Sequence, residues 1–93
     1  KVETIYWPSR DAAPFWPHWT WVRLTTADGL TAVGETYPRS STEAELLHAQ
    51  FARTLLRSDP RDIERFWADA YHQIDYQVAG GAEMRVLSAI DLA

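Results

Sequence analysis

Residues Trp21 to Glu35, WVRLTTADGLTAVGE, decide how the rest of the chain must be arranged. Val22, Leu24 and Thr26 alternate with Trp21, Arg23 and Thr25, a period of two that puts one set on each face of a strand. Leu30, Ala32 and Gly34 alternate in the same way with Thr31, Val33 and Glu35, and the run continues to Thr36. Between the two runs lies Asp28-Gly29, a pair that tolerates φ > 0, as a two-residue hairpin turn requires. The stretch predicts an antiparallel hairpin.

Upstream, Val2 to Trp7 alternates weakly, is rich in β-formers and is stopped by Pro8, which predicts a further strand. The connector from Pro8 to His18, PSRDAAPFWPH, carries three prolines and an apolar tip, Phe15-Trp16-Pro17-His18-Trp19. Loops are normally polar, and a connection of this length in a compact domain is more often functional than incidental. Two readings stand for Phe15 and Trp16: they fold back to cover the sheet, or they face a partner.

Downstream, Tyr37-Pro38-Arg39-Ser40 forms a short connector. Ser40 with Glu43, and Thr42 with Glu45, fit the S/T-x-x-E capping box, so a helix is expected to start there and run to about Arg57. Ala44, Leu47, Phe51 and Leu55 form its apolar stripe. Asp59 as N-cap and Pro60 at the first helical position predict a second helix, with Ile63, Phe66, Trp67, Ala70, Tyr71 and Ile74 on its inner face. Trp67 stands at the centre of that stripe. Gly80-Gly81 ends it, and a third helix from about Ala82 carries Val86, Ala89, Ile90 and Ala93 on one side and Leu87 on another. Such a helix is expected to be buried on more than one side. Three antiparallel strands followed by helices on one face make an α+β layer.

Composition narrows the function classes. The 93 residues allow one domain, and 46% hydrophobic with 24% charged residues is a globular balance. A net charge of -4 leaves no electrostatic footprint for nucleic acid or an anionic membrane surface. The absence of cysteine excludes a disulfide framework and a thiolate metal site. No apolar run is long enough to span a bilayer, and the cytoplasm is the expected setting. The chain begins at Lys1 directly in a strand-like run and stops at Ala93 inside an apolar helical pattern. The expectation is therefore a single N-terminal domain, residues 1–93, of a longer protein, cut within its third helix.

No nucleotide-binding, nucleophile-elbow or zinc-protease motif is present. His18, His48 and His72 are scattered rather than clustered, which argues against metal ligation. Glu43, Glu45, Asp62, Glu64, Asp69 and Asp75 fall at helix starts or on solvated faces, where capping and solubility explain them. Asp91, among Ala89, Ile90, Leu92 and Ala93, is expected to be buried and to need a partner. Glu35 is a candidate structural acceptor beside Gly34.

The order of the pieces carries a resemblance. Val22 to Glu35, the helix start Ser58-Asp59-Pro60-Arg61-Asp62-Ile63-Glu64, and Gly80-Gly81 with Ser88-Ala89-Ile90-Asp91-Leu92-Ala93 resemble the N-terminal capping domain of the enolase superfamily. The closer resemblance is to its mandelate racemase and muconate-lactonizing branch, over Val2 to Ala93. Ala32 stands where that family commonly has Gly, and Arg57 near a position often held by Gly.

The resemblance implies an enzyme, a racemase, cycloisomerase or sugar-acid dehydratase, whose C-terminal β/α barrel holds Mg²⁺ on three carboxylates. A Lys or His of that barrel removes the proton α to a substrate carboxylate, and none of those groups is in this chain. It further implies that the loops Pro8 to Trp19 and Thr36 to Ser41 close the barrel mouth. Phe15, Trp16, His18, Tyr37 and Arg39 would then contact a small carboxylate substrate such as an acid sugar, with Arg39 pairing with its carboxylate. The implied partners are the barrel of the same protein and further copies in a homo-oligomer. The alternative is a self-contained α+β protein-binding or oligomerisation module whose aromatic loop grips a partner.

Overall fold

A computed structural model describes residues 1–8, 18–37, 40–74 and 81–93, the side chains of Pro8, His18 and Ser40 excepted. Strands β1 (Val2–Pro8), β2 (His18–Thr25) and β3 (Thr31–Thr36) form one antiparallel sheet in the order β1-β2-β3. The register pairs Thr4 with Val22 and Val22 with Gly34, so the inward residues of all three strands share one face. The expected hairpin is present, but its loop is longer than two residues. Thr26 N–H donates to Leu30 O (2.9 Å) and Gly29 N–H to Thr26 O (3.1 Å), so Ala27, Asp28 and Gly29 form the loop. Of these three, Gly29 alone has positive φ, at 93°. The Thr26 hydroxyl displaces the pairing expected of a tight turn by bonding Asp28 and accepting from Leu30 N–H.

The first helix is interrupted. α1 (Ser40–Leu46) passes into a π-helical turn (Leu47–Phe51) and then α2 (Ala52–Leu55). Glu43, Leu47 and Phe51, spaced by four, are all buried. A plain α-helix drifts off such a spacing, and the wider π turn restores the residues to one face.

α3 (Ile63–Gln73) begins later than Asp59 would have it. Asp59 instead caps a separate turn, accepting Arg61 N–H on Oδ1 (3.0 Å) while its main-chain O accepts Asp62 N–H (3.0 Å). The inner face of α3 is narrower than its pattern. Phe66, Ala70 and Ile74 are buried, whereas Ile63 and Tyr71 are exposed. Trp67 is half-buried and stacks on Tyr71 at 5.1 Å, so Phe66 is the core aromatic of this helix.

α4 (Ala82–Leu92) is buried on two sides, as its pattern requires: Val86, Leu87, Ala89 and Ile90 are all inside. Its backbone lies directly on β3, where a Cβ built on Gly34 would meet Ala89 O at 1.8 Å. The glycine is what lets the helix approach this closely. Asp91 is exposed rather than buried, because it faces away from this contact.

Candidate functional site

β1 and β3 both run antiparallel to β2, so Pro8 and Thr36 leave the sheet at the same end, where His18 enters it. α4 runs opposite to β3, from Gly81 beside Tyr37 to Ala89 over Gly34, so its first turn belongs to that end as well. The connectors 9–17 and 37–39, set apart by the sequence, both start here.

Of the residues expected to contact substrate, Tyr37 is placed with its side chain, exposed beside the first turn of α4. His18 opens β2 opposite Pro8. Phe15, Trp16 and Arg39 lie outside the described residues.

A charged pair that the sequence did not announce lies next to Tyr37. Arg85 of α4 donates from Nε (3.0 Å) and Nη2 (2.7 Å) to Oε1 of Glu43, and its guanidinium carbon stands 4.8 Å from the centre of the Tyr37 ring. The Glu43 side chain is 1% exposed and that of Arg85 41%. The spacing of Glu43 from Ser40 fits a capping box. Its carboxylate instead bonds Arg85, because a buried carboxylate needs a cation more than a helix start needs a cap. The one sequence signal for this pair was Arg85 itself, a cation inside an otherwise apolar helical run.

Between the end of β3 and α4 lies an open cleft of about 450 Å³, lined among others by Thr36, Tyr37, Gly81, Arg85 and Ser88. Thr36 and its register partner Thr20 are buried, and neither hydroxyl has a hydrogen-bond partner among the described residues. Glu43 Oε2 is likewise without one. A buried hydroxyl left unpaired costs about 1–3 kcal/mol, so this end holds polar capacity that the described residues do not use.

Glu35 points to the opposite face of the sheet, where its carboxylate accepts from Trp21 Nε1 at 3.3 Å. Among the described residues the acceptor role expected for Glu35 is thus met by an indole. That face also carries exposed Trp7, Trp19 and Val33, with Trp19 stacked on Trp21 at 6.3 Å. Further along it, Glu3 binds Lys1 (2.7 Å) and Arg23 (2.9 Å), which hold its carboxyl down at about 2. Among the described residues no group of three His, Asp or Glu side chains converges to hold a metal ion. No helix is long and apolar enough to cross a membrane among the same residues.

A protein from Labrenzia alexandrii DFL-11, a candidate mandelate racemase/muconate lactonizing enzyme, superposes with a TM-score of 0.81 at 28% identity, over 98% of this chain and 24% of its own. The fold is that of part of the mandelate racemase/muconate-lactonizing-like enzymes of the enolase superfamily. A racemase from Streptomyces coelicolor A3(2), solved with bound magnesium, gives a TM-score of 0.78 at 24% identity, over 98% of this chain and 29% of its own. In sequence, the 3,6-anhydro-α-L-galactonate cycloisomerase of the same organism is 29% identical over 75 residues, which are 77% of this chain and 21% of that enzyme. No family model matches the chain. The chain spans less than a third of the length of these relatives.

Proposed function

We propose that the chain is the substrate-capping domain of a Mg²⁺-dependent enzyme that abstracts the proton α to the carboxylate of a sugar acid. The observation that carries this reading is the convergence at one end of the fold: the strand ends Pro8, His18 and Thr36, where both connectors join the sheet, share that end with the first turn of α4 and an open polar cleft. The relatives supply the chemistry. One is a racemase with bound magnesium and one a cycloisomerase of an anhydro-galactonate, and both reactions suit an enolised carboxylate. In the whole protein the metal and the base belong to the barrel. The capping domain orients the substrate and excludes water from it, with Phe15, Trp16, His18, Tyr37 and Arg39 as its contacts.

The test is solvent exchange. The intact protein, with Mg²⁺ in D₂O, is expected to incorporate deuterium at Cα of at least one member of a panel of acid sugars, read by proton NMR. Lack of exchange across the panel contradicts the proposal. A self-contained binding module has one observation in its favour, the exposed Trp7, Trp19 and Val33 on the open sheet face. In the capping reading that face packs against the barrel or a second copy of the chain.

A further inference from the structure

The sheet face turned away from the helices has two unlike halves. In one, Trp7 stands beside Trp19 and Ile5 beside Trp21, with Glu35 across from Trp21 on β3. Trp19 and Trp21 are nearly parallel, 11° apart, and both Trp7 and Trp19 are exposed. The other half, toward the hairpin, carries the ladder of Lys1, Glu3 and Arg23, with Val33 beside Arg23. Lys1, Glu3, Arg23 and Glu35 are the charged side chains of this face, so the aromatic half is negative through Glu35 and the ladder has one net positive charge. Asp28 lies beyond the ladder in the hairpin loop, bonded to Thr26. Glu3 meets Arg23 at Nε (2.9 Å), an edge of the guanidinium, which leaves its flat side for a ring.

A face divided in this way is complementary to itself. A second copy, turned about an axis that lies between the two sheets and perpendicular to the strands, lays its ladder on the aromatic half of the first. Trp21 of each copy then comes against Arg23 of the partner subunit, and Glu35 comes to the partner's positive end. An axis along the strands would instead set Arg23 on Arg23, opposing like charges. We propose that this sheet face is a two-fold contact between two copies of the protein, packed sheet on sheet, with the two Trp21–Arg23 pairs at its centre. Sheets packed face to face lie about 10 Å apart, within reach of these side chains. Trp and Arg are the residues that most often dominate such contacts, and a guanidinium over an indole adds cation–π attraction. Three strands of seven residues cover roughly 330 Å² in plan. A standard interface needs about 800 Å² from each partner, so the face is the centre of a contact whose rim comes from the rest of the whole protein. The inference goes beyond the capping reading, which concerns the end of the sheet and not this face.

The experiment is sedimentation velocity of the intact protein over a concentration series, which gives the dissociation constant of the dimer. Trp21→Ala and Arg23→Ala are each expected to raise that constant about a hundredfold, since a two-fold contact loses the same pair twice. An equimolar mixture of the two variants separates this geometry from any other. The mixed dimer keeps one of its two Trp21–Arg23 pairs, and is expected to associate about tenfold more tightly than either variant alone. If Trp21→Ala does not fold, Glu35→Lys replaces it in the mixture, because it sets a cation against the partner's positive end from an exposed position. A monomeric wild type, a dissociation constant that the variants leave unchanged, or a mixture no tighter than its components overturns the inference. So does a Trp21→Ala protein of unchanged mass and lowered melting temperature, the result expected if the barrel of the same chain covers this face.

Discussion

At the hairpin end of the sheet, Thr26, Asp28 and Leu30 close one another's polar groups within five residues, and Lys1, Glu3 and Arg23 form an exposed ion ladder nearby. At the opposite end, Glu43 and Arg85 meet across 42 positions of sequence, and the adjacent Thr20 and Thr36 hydroxyls have no described partner. The first end is complete in itself. The second has a buried charge pair, spare donors and an open cleft, although both ends belong to the same three strands. Polar groups are seldom buried without partners, so the end that breaks this rule is where a ligand is to be sought.

That contrast can be broken by mutation in the intact protein. Arg85→Ala strands the Glu43 carboxylate in the core and is expected to cost about 3–5 kcal/mol in denaturant unfolding, while Glu43→Leu combined with Arg85→Met recovers most of it. A loss below 1 kcal/mol for Arg85→Ala means that the pair does not organise this end. Gly34→Ala pushes a methyl group into the Ala89 carbonyl and must lift α4 from β3, at about 3 kcal/mol. The same measurement decides whether the cleft wall depends on that close approach.

Changes at the hairpin end should be milder. Gly29→Ala forces an L-residue to a φ of 93° in open space, for about 1–2 kcal/mol. The smallest effect is electrostatic. The Glu3 carboxyl lies at about 2 in the folded chain against an ordinary value of 4.5, so its contribution is fully present above 4.5. That contribution fades as pH falls from there through about 2. Melting temperatures of wild type and Glu3→Gln are expected to differ slightly at pH 7 and to converge at low pH, and a gap that widens on acidification contradicts the ion ladder.

The same contrast explains what could be read before the fold was seen. β2, β3 and their turn were legible because alternation and Asp28-Gly29 are local signals, and α4 because apolar residues around its circumference demand burial on two sides. Where the reading slipped, a tertiary contact had outbid a local one. Glu43 has the spacing of a cap, yet Arg85 claims it. Trp67 has the position of a core residue, yet Phe66 fills the core and Trp67 stacks on Tyr71. Asp59 precedes a proline as an N-cap does, yet its bonds close a turn before α3. At the candidate site Tyr37 was legible from its connector, whereas Glu43 and Arg85, 42 positions apart, share no local pattern.

The central claim is that substrate is held at the end of the sheet where β3 meets α4. Hydrogen–deuterium exchange of the intact Mg²⁺-loaded protein, with and without the best acid sugar, tests it directly. Ligand is expected to slow exchange in peptides covering Thr36–Ser41 and Gly81–Ser88 while leaving Thr25–Thr31 unchanged. Protection confined to Thr25–Thr31, or none at Gly81–Ser88 under saturating ligand, would contradict it.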